Sequence, residues 1–334
     1  MPQSGLDCQY MFDVPNFIVE ALREIAGPQM LINSTALFID PASGIRIIHS
    51  AEEIALYEYG ATLASNGMMN ALLNVKTGIT DEALADYFLT RGMQPNCHPL
   101  SLIGPDSTVG IIAPSSRVAK EGDGYICSMG LEGGLTCRKG YICHNADVLP
   151  AEQRDYINEL AKPYFSAVAS WYQKIGIGVT GGELYGMVDD IIPQKKFGWI
   201  LNPGHLISTE EWLSSPIYKD SSVAIRSGMI VQMDIIPDMP PYCGTNAEDG
   251  ICIADETLRR QLAQKYPETW IRMQMRRDYM KDVIGIDLKP EILPMSNMAG
   301  YYAPFFLNPT CGFKKWFWYK HSFGIIGPKL CLYL

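Results

Sequence analysis

Apolar residues recur at steps of three or four along the segment that follows Ser50. The positions are Ile54, Tyr57, Ala61, Ala64, Met68 and Leu72. This spacing predicts an amphipathic helix, because positions three and four apart share one face at the helical period. Ser50 and Glu53 have the spacing of a capping box, which predicts that the helix begins directly after Ser50. The segment therefore predicts a long helix that packs by one face on the rest of a domain.

Other patterns predict a mixture of helices and short strands. Helices are predicted at residues 17–26, 80–92 and 150–176, and Pro163 is expected to split the last of them. Strands are predicted at residues 30–39, 110–113, 125–129, 229–236 and 250–254. The first strand is expected to end in a turn at residues 40–44. The order of these elements predicts an α+β fold with helices packed on a curved antiparallel sheet.

The composition is that of a globular chain with a large core. The chain has 334 residues, of which 47% are hydrophobic and 19% are charged. The formal net charge of -9 argues against nucleic acid as the main partner, because binding to phosphates needs a basic surface. No apolar run is long enough to cross a bilayer, and the nine cysteines are scattered without close pairs, which is typical of reduced thiols. We therefore expect a cytoplasmic protein whose partners include neither nucleic acid nor a membrane.

Five short segments occur in the order in which they stand in one known superfamily. They lie at residues 50–82, 113–123, 202–205, 227–237 and 248–251. They include the pairs Gly204-His205 and Glu248-Asp249. In this order the segments resemble the creatinase/Xaa-Pro peptidase superfamily, which includes prolidase, aminopeptidase P and methionine aminopeptidase. The resemblance covers most of a domain and implies the pita-bread fold, in which two pseudo-symmetric α/β halves enclose a cleft lined by the sheet.

The resemblance also implies a division of the chain. A pita-bread domain is expected at residues 50–310, preceded at residues 1–49 by a short or partial N-terminal α/β unit of the creatinase type. Residues 311–334 are expected to form an atypical C-terminal tail, because the chain from residue 292 onward contains no Asp or Glu. The tail is interpreted either as a docking strand or as an altered reading frame at the end of an incomplete gene. We also expect a homodimer, since relatives with an N-terminal unit commonly pair.

The resemblance implies which residues stand at the family's metal positions. The family's peptidases hold two divalent metals with two Asp, one His and two Glu. Ser128 and Leu135 stand where the two Asp belong, and neither supplies a carboxylate. His205 keeps the histidine, Asp234 replaces the first Glu, and Glu248 keeps the last. No two-metal centre is therefore expected, and two alternatives stay open: one divalent ion, zinc or manganese, on His205, Asp234 and Glu248, or no metal.

Two further histidines of the family help to bind substrate or stabilise the intermediate, and both positions are apolar here. They correspond to Ile111 and Trp212. Their loss predicts weak Xaa-Pro peptidase activity, and Ile111 also weakens a creatinase mechanism, which relies on a histidine at that position. The adjacent acids Glu210 and Glu211 are interpreted as solvent-facing.

Different chemistry would need new groups in the altered segment. Cys143 lies beside His144, and a Cys–His pair can act as a nucleophile. Buried, inert thiols are the commoner case, and we expect that here. Arg138 and Lys139 are either positive charges for a substrate carboxylate or a solvated surface pair.

Two functions remain open from the sequence alone. The first is a protein that has lost the two-metal centre, has no efficient peptidase activity, and binds a peptide or small molecule in the former active-site cleft. The second is a residual single-metal hydrolase of the Xaa-Pro peptidase type that uses His205, Asp234 and Glu248. The missing carboxylates favour the first function, whereas the surviving ligands favour the second. Whether the chain is an enzyme is therefore left open.

Overall fold

The computed structural model describes residues 14–108, 112–315 and 323–325 of the chain. The α-helices are α1 Asn16–Ala26, α2 Thr35–Ile39, α3 Ala51–Leu73, α4 Asp81–Ala85, α5 Lys162–Lys174, α6 Gly181–Ile191, α7 Gln194–Phe197, α8 Glu256–Lys265 and α9 Pro267–Tyr279. The strands are β1 Pro95–Ile103, β2 Gly124–Leu131, β3 Gly134–Tyr141, β4 His205–Leu206, β5 Ile230–Met233, β6 Asn246–Ile253, β7 Ile292–Pro294, β8 Phe313–Lys315 and β9 Phe323–Ile325. No helix in these ranges is long and apolar enough to cross a bilayer.

A seven-stranded sheet, antiparallel at every pairing, organises the domain. Its strands run in the order β1-β2-β3-β6-β5-β4, and β7 pairs with β6 as well. The first part of β6 pairs with β3, where Cys137 lies opposite Glu248, and its later part pairs with β5 and β7. Strand β6 therefore joins the two halves of the sheet. The α+β fold with a curled antiparallel sheet is confirmed.

Helix α3 packs against the β2–β3 hairpin. The predicted capping box is confirmed, since the Ser50 side chain accepts from the Glu53 N–H while the Glu53 side chain accepts from the Ser50 N–H. The apolar stripe of the helix is buried, as predicted. Gly133, in the two-residue turn of the hairpin, has φ +90°, and a Cβ there would lie 2.0 Å from the Cβ of Tyr57. Only glycine fits this contact, so the turn is fixed directly on the helix.

The core consists of two clusters of buried side chains. The smaller one joins α3 to β5, β6, β7, α8 and α9, and includes Ile54, Ile230, Leu258, Met273 and Leu293. The larger one is built around α5, α6 and the β2–β3 hairpin, and includes Met68, Tyr125, Phe165, Trp171 and Trp199. Burial of such large apolar side chains is the main force that holds helices to a sheet.

Several predicted elements are wrong or displaced. Residues 30–39 form no strand; their second half is helix α2, where the Asn33 side chain accepts from the Thr35 N–H and starts a turn instead. The predicted helix at residues 80–92 ends at Ala85, because the chain turns at 86–87 and the backbone of residues 87–88 packs against Gly67 of α3. Residues 112–113 of the predicted strand at 110–113 are not in a strand.

Other predictions need smaller changes. The strand predicted at residues 229–236 is shortened to β5, and the one at 250–254 begins earlier, as β6. The predicted helix at 150–176 is divided into a short 3-10 turn, a π-helical turn and α5, with Pro163 in the first turn of α5. The boundaries at residues 49/50 and 310/311 stay predictions, as does the nature of the tail. Its aromatic run at 316–319 lies outside the described residues.

A buried ion pair ties β3 to β6 on the face that α3 covers. Arg138 Nη2 donates to Asp249 Oδ2 at 2.6 Å, and both side chains are almost completely buried. The same guanidinium donates to the carbonyls of Cys137, Glu248 and Met298. The Ser296 hydroxyl donates to the other oxygen of Asp249 at 2.5 Å. Every charge in this group has a partner, which is the condition under which buried ions are tolerated.

Asp249→Ala tests how far the sheet depends on this pair. The change leaves the Arg138 charge buried without its partner, so we expect the free energy of unfolding to fall by about 3–5 kcal/mol. Asp287→Ala is the matched control, because Asp287 makes an exposed ion pair with Lys281 at 3.4 Å. An exposed pair of this kind contributes about 1 kcal/mol or less. Equal midpoint shifts for the two variants in denaturant titrations would contradict the assignment.

Candidate metal centre

Three side chains from β4, β5 and β6 meet on one face of the sheet. His205 begins β4 and lies opposite Gln232 of β5. Asp234 follows Gln232 by two residues, so it projects to the same face. In β6, Gly250 lies opposite Gln232, and Glu248 stands two residues before Gly250. The ladder register therefore brings His205, Asp234 and Glu248 to one cleft, although they are far apart in sequence.

The loop after β4 adds two further side chains to this cleft. A β-bridge between Leu206 and Ser214 closes residues 207–213 into a loop beside the strand. Within the loop, the Trp212 ring lies 5.6 Å from the His205 ring, centroid to centroid, with their planes 32° apart. Glu211 precedes this tryptophan and extends its carboxylate to the same imidazole.

Arg46 holds the loop in place through Glu210. The guanidinium donates to both carboxylate oxygens of Glu210, at 2.7 and 2.5 Å, and to the Thr209 hydroxyl at 2.8 Å. Its hydrogen bond lowers the pKa of Glu210 to about 2. Glu210 thus points away from the cleft, while Glu211 points into it. The interpretation of Glu211 as solvent-facing is wrong, because its side chain is only 21% exposed and contacts a buried histidine.

The imidazole of His205 is surrounded by carboxylates. Its Nε2 lies 3.3 Å from Glu211 Oε1, 3.8 Å from Glu248 Oε1 and 3.9 Å from Asp234 Oδ2. His205, Asp234 and Glu248 are buried, while Glu211 is partly open to solvent. The open side of the cluster is therefore the Glu211 side.

The hydrogen bond of His205 to the backbone shows which ring nitrogen carries the proton when the ring is neutral. Its Nδ1 lies 3.3 Å from the Leu206 carbonyl, which can only accept, so Nδ1 carries the proton in the neutral ring. In the neutral ring Nε2 then presents its lone pair to the carboxylates, whereas in the protonated ring it forms an ion pair with Glu211 at 3.3 Å. A backbone carbonyl at the second ring nitrogen is a frequent arrangement for a metal-binding histidine.

The charges in this cluster perturb one another strongly. Burial lowers the pKa of His205, but the neighbouring Glu211, Glu248 and Asp234 outweigh it and raise that pKa to about 10. Burial raises the pKa of Asp234 to about 6, against the opposing effect of His205. Burial and the nearby Asp234 raise the pKa of Glu248 well above its ordinary value. The cluster thus attracts positive charge to its centre, which the protonated imidazole supplies in the metal-free protein and a bound cation would supply in its place.

The donor set fits a divalent cation. One nitrogen of His205 and one carboxylate oxygen each from Glu211 and Glu248 lie within 4.8 Å of one another. Among the described residues, no other group of three or more His, Cys, Asp or Glu brings its ligand atoms close enough together to share an ion. Imidazole nitrogen with carboxylate oxygen suits zinc or manganese. Asp234 is close enough to His205 to join or support such a site.

The comparisons with known proteins identify the fold. No family model matches the chain. Over 223 residues the chain is 26% identical to the uncharacterized peptidase YqhT of Bacillus subtilis (strain 168), a match that covers 64% of this chain and 62% of that protein. The chain thus spans less than two thirds of this curated relative.

Solved structures of three peptidases share the fold over 70–73% of the chain. The prolidase of Pyrococcus horikoshii OT3 has a TM-score of 0.60 at 20% identity, over 72% of this chain and 70% of that one. The X-Pro aminopeptidase of Thermotoga maritima MSB8 has a TM-score of 0.59 at 15% identity, over 73% and 68%. The Xaa-Pro dipeptidase of Bacillus anthracis has a TM-score of 0.57 at 20% identity, over 70% and 66%. The chain has the pita-bread fold.

The family resemblance implies an Asp at two positions of the cleft, and neither position has one here. The two-residue turn of the β2–β3 hairpin places Ser128 opposite Cys137 and Leu135 opposite Gly130. Since Cys137 in turn lies opposite Glu248, all of these positions belong to the face of the sheet that bears the cluster. Ser128 and Leu135 are both buried. The β2–β3 side of the cleft therefore contributes no carboxylate.

The resemblance implies histidines at two further positions, and the structure describes only one of them. Ile111 lies outside the described residues. Trp212 lies in contact with His205, so an apolar ring occupies a place beside the cluster where the resemblance implies a histidine. Trp212 is 39% exposed, which makes it a wall that a bound ligand can touch.

The alternative chemistry has no support in the described structure. Burial raises the pKa of Cys127 and of Cys143 to about 12, so both stay protonated, as expected for inert thiols. His144 is exposed. Both interpretations of Arg138 are wrong, because it is buried and paired with Asp249 on the face opposite the cluster.

Two adjacent glutamates provide a matched test of the cluster. Glu211→Gln should weaken the binding of one Zn²⁺ or Mn²⁺ at least about tenfold, since a charged oxygen next to His205 is lost. Glu210→Gln should leave the affinity nearly unchanged, because its carboxylate faces Arg46 and not the cleft. Calorimetric titration of the two variants and the parent provides the measurement. If both variants bind the ion as tightly as the parent, Glu211 does not belong to the site.

Proposed function

We propose that this chain holds one divalent ion at His205, Glu211 and Glu248 and binds a peptide-like ligand in the cleft around it, without efficient Xaa-Pro peptidase activity. The observation that supports this most strongly is the buried Nε2 of His205. It faces three carboxylates, of which Glu211 is the nearest at 3.3 Å. Three carboxylates around one buried ring nitrogen form a favourable place for a cation.

The residues of the chain have separate tasks in this proposal. His205 and Glu248 hold the ion from the buried side, and Glu211 holds it from the open side. Asp234 supplies additional negative charge next to His205, and the Asn246 side chain donates to it at 3.4 Å. When bound, a divalent ion would polarise a ligand carbonyl and lower the pKa of a bound water. Trp212 offers an apolar surface to the ligand.

The composition of the cleft argues against a two-metal peptidase. A second ion would need carboxylates on the β2–β3 side, where Ser128 and Leu135 stand. The substrate would also lack the histidine whose place Trp212 takes. Loss of one group that stabilises a transition state commonly costs about a hundredfold or more in rate, so the combined losses predict very low Xaa-Pro cleavage.

A second candidate function is slow hydrolysis of an amide by one ion held on His205, Asp234 and Glu248, which leaves the Glu211 carboxylate free. The observation that favours it is Glu211, the one carboxylate of the cluster that is partly open to solvent. A carboxylate in that position is able to accept a proton from an attacking water. The expected cytoplasmic location and homodimer stay predictions from the sequence and play no part in either function.

Metal content and turnover, measured on the same preparation, test the proposal. After removal of metal with a chelator and reloading, we expect one ion per chain by mass spectrometry of the metal. We further expect little release of the first residue from Xaa-Pro peptides with manganese, cobalt or zinc. Two ions per chain together with rapid cleavage before proline would refute the proposal. Amide hydrolysis that disappears in Glu211→Gln but survives in Glu210→Gln would select the second candidate function.

A further inference from the structure

A cavity begins one side chain away from the His205 cluster. Its volume is about 640 Å³, which lies within the range of roughly 300–1,000 Å³ that is usual for pockets that bind small molecules. Trp212 lines it and also lies against the His205 ring. Trp212 is therefore shared by the cluster and the cavity.

Aromatic rings form much of the cavity wall. Besides Trp212, the rings of Tyr185, Trp199 and Tyr218 line it. Tyr185 and Trp199 meet edge to face, with centroids 5.3 Å apart and planes at 69°. Trp199 is almost fully buried, and its indole N–H donates to the Ile192 carbonyl at 2.7 Å, which fixes its ring. A wall with several aromatic rings favours an aromatic guest, since rings pair well edge to face or offset.

The rim and the charge of the cavity fit an apolar group. Ile200 is 86% exposed and Leu201 is 47% exposed, and both line the cavity. No Asp or Glu is among its described lining residues, and Lys219 supplies its one charge. None of the carboxylates of the neighbouring cluster lines the cavity. A ligand with a polar end and an aromatic end thus finds a matching partner for each.

Ser214 supplies a polar group without a partner in this apolar wall. It is 6% exposed, and its hydroxyl makes no hydrogen bond within the described part of the chain. The adjacent Ser215 hydroxyl, in contrast, donates to the Gly204 carbonyl at 2.7 Å. Because a buried hydroxyl without a partner is unfavourable, Ser214 fits a ligand that brings a polar atom to it. The β-bridge to Leu206 fixes Ser214 beside β4.

We infer that this cavity receives an aromatic side chain, with a polar substituent that meets Ser214, from the peptide-like ligand whose backbone lies at the His205 cluster. The role of the cavity as a ligand subsite rests on the proposed function. Its preference for an aromatic group, in contrast, can be measured without metal. A tyrosine side chain combines the ring and the polar atom that the walls require. Ligands with a small side chain leave the rings and Ser214 without contacts.

Binding of two uncharged probes to the metal-free protein tests the inference. N-acetyl-L-tyrosinamide should bind at least about tenfold more tightly than N-acetyl-L-alaninamide in nuclear magnetic resonance titrations, because it buries a large aromatic surface. Tyr185→Ala should remove most of this preference, and Ser214→Ala should reduce it about threefold or more. Tyr59→Ala is the control, since Tyr59 is 45% exposed and does not line the cavity.

The titrations have three results that bear on the aromatic pocket. Equal affinity for the two probes, or a preference that Tyr185→Ala and Tyr59→Ala change alike, would overturn it. Binding of neither probe, together with self-association that Ile200→Asp abolishes, would assign the face to contact between copies of the chain and would also overturn it. A preference for the tyrosine probe in a protein that binds no divalent ion would support the pocket while refuting the proposed metal function.

Discussion

The junction of β3 and β6 is the constraint on which the cleft depends. Arg138 and Asp249 close it on the face covered by α3, through a buried pair and hydrogen bonds to the neighbouring carbonyls. Glu248 precedes Asp249 in the same strand, so it projects to the opposite face. The pair that fixes the sheet on one side therefore also fixes a carboxylate of the cluster on the other. A shift of β6 along β3 by one residue would exchange the two acids and put Glu248 into the core.

The cluster itself is organised by an excess of negative charge around one imidazole. His205 is oriented by the Leu206 carbonyl, and three carboxylates lie within 4 Å of its second nitrogen. On the β2–β3 side of the cleft Ser128 and Leu135 carry no carboxylate, whereas the loop after β4 adds one. Negative charge is thus concentrated around His205, where the proposed single ion would lie.

The sequence predicted the parts of the site that follow from motifs and strand register. His205, Asp234 and Glu248 lie at fixed places on neighbouring strands, so recognition of the motifs also located their side chains. Glu211 was missed because its role depends on a loop whose course is set by a distant contact, from Arg46 to Glu210. Its neighbour Trp212, at an expected site position, was the available signal. Helix α2 was missed for a similar reason, since a side-chain contact at Asn33 outweighs the strand propensity of the residues that follow.

The position of a bound ion tests the proposed single-ion site most directly. Crystals of the protein soaked with Mn²⁺ or Zn²⁺ and measured at the absorption edge of the metal would locate it by anomalous scattering. We expect a single strong peak per chain, in contact with His205 Nε2 and the carboxylates of Glu211 and Glu248. Two peaks, a peak on the side of Ser128 and Leu135, or a fully soaked crystal with no peak at His205 would contradict it.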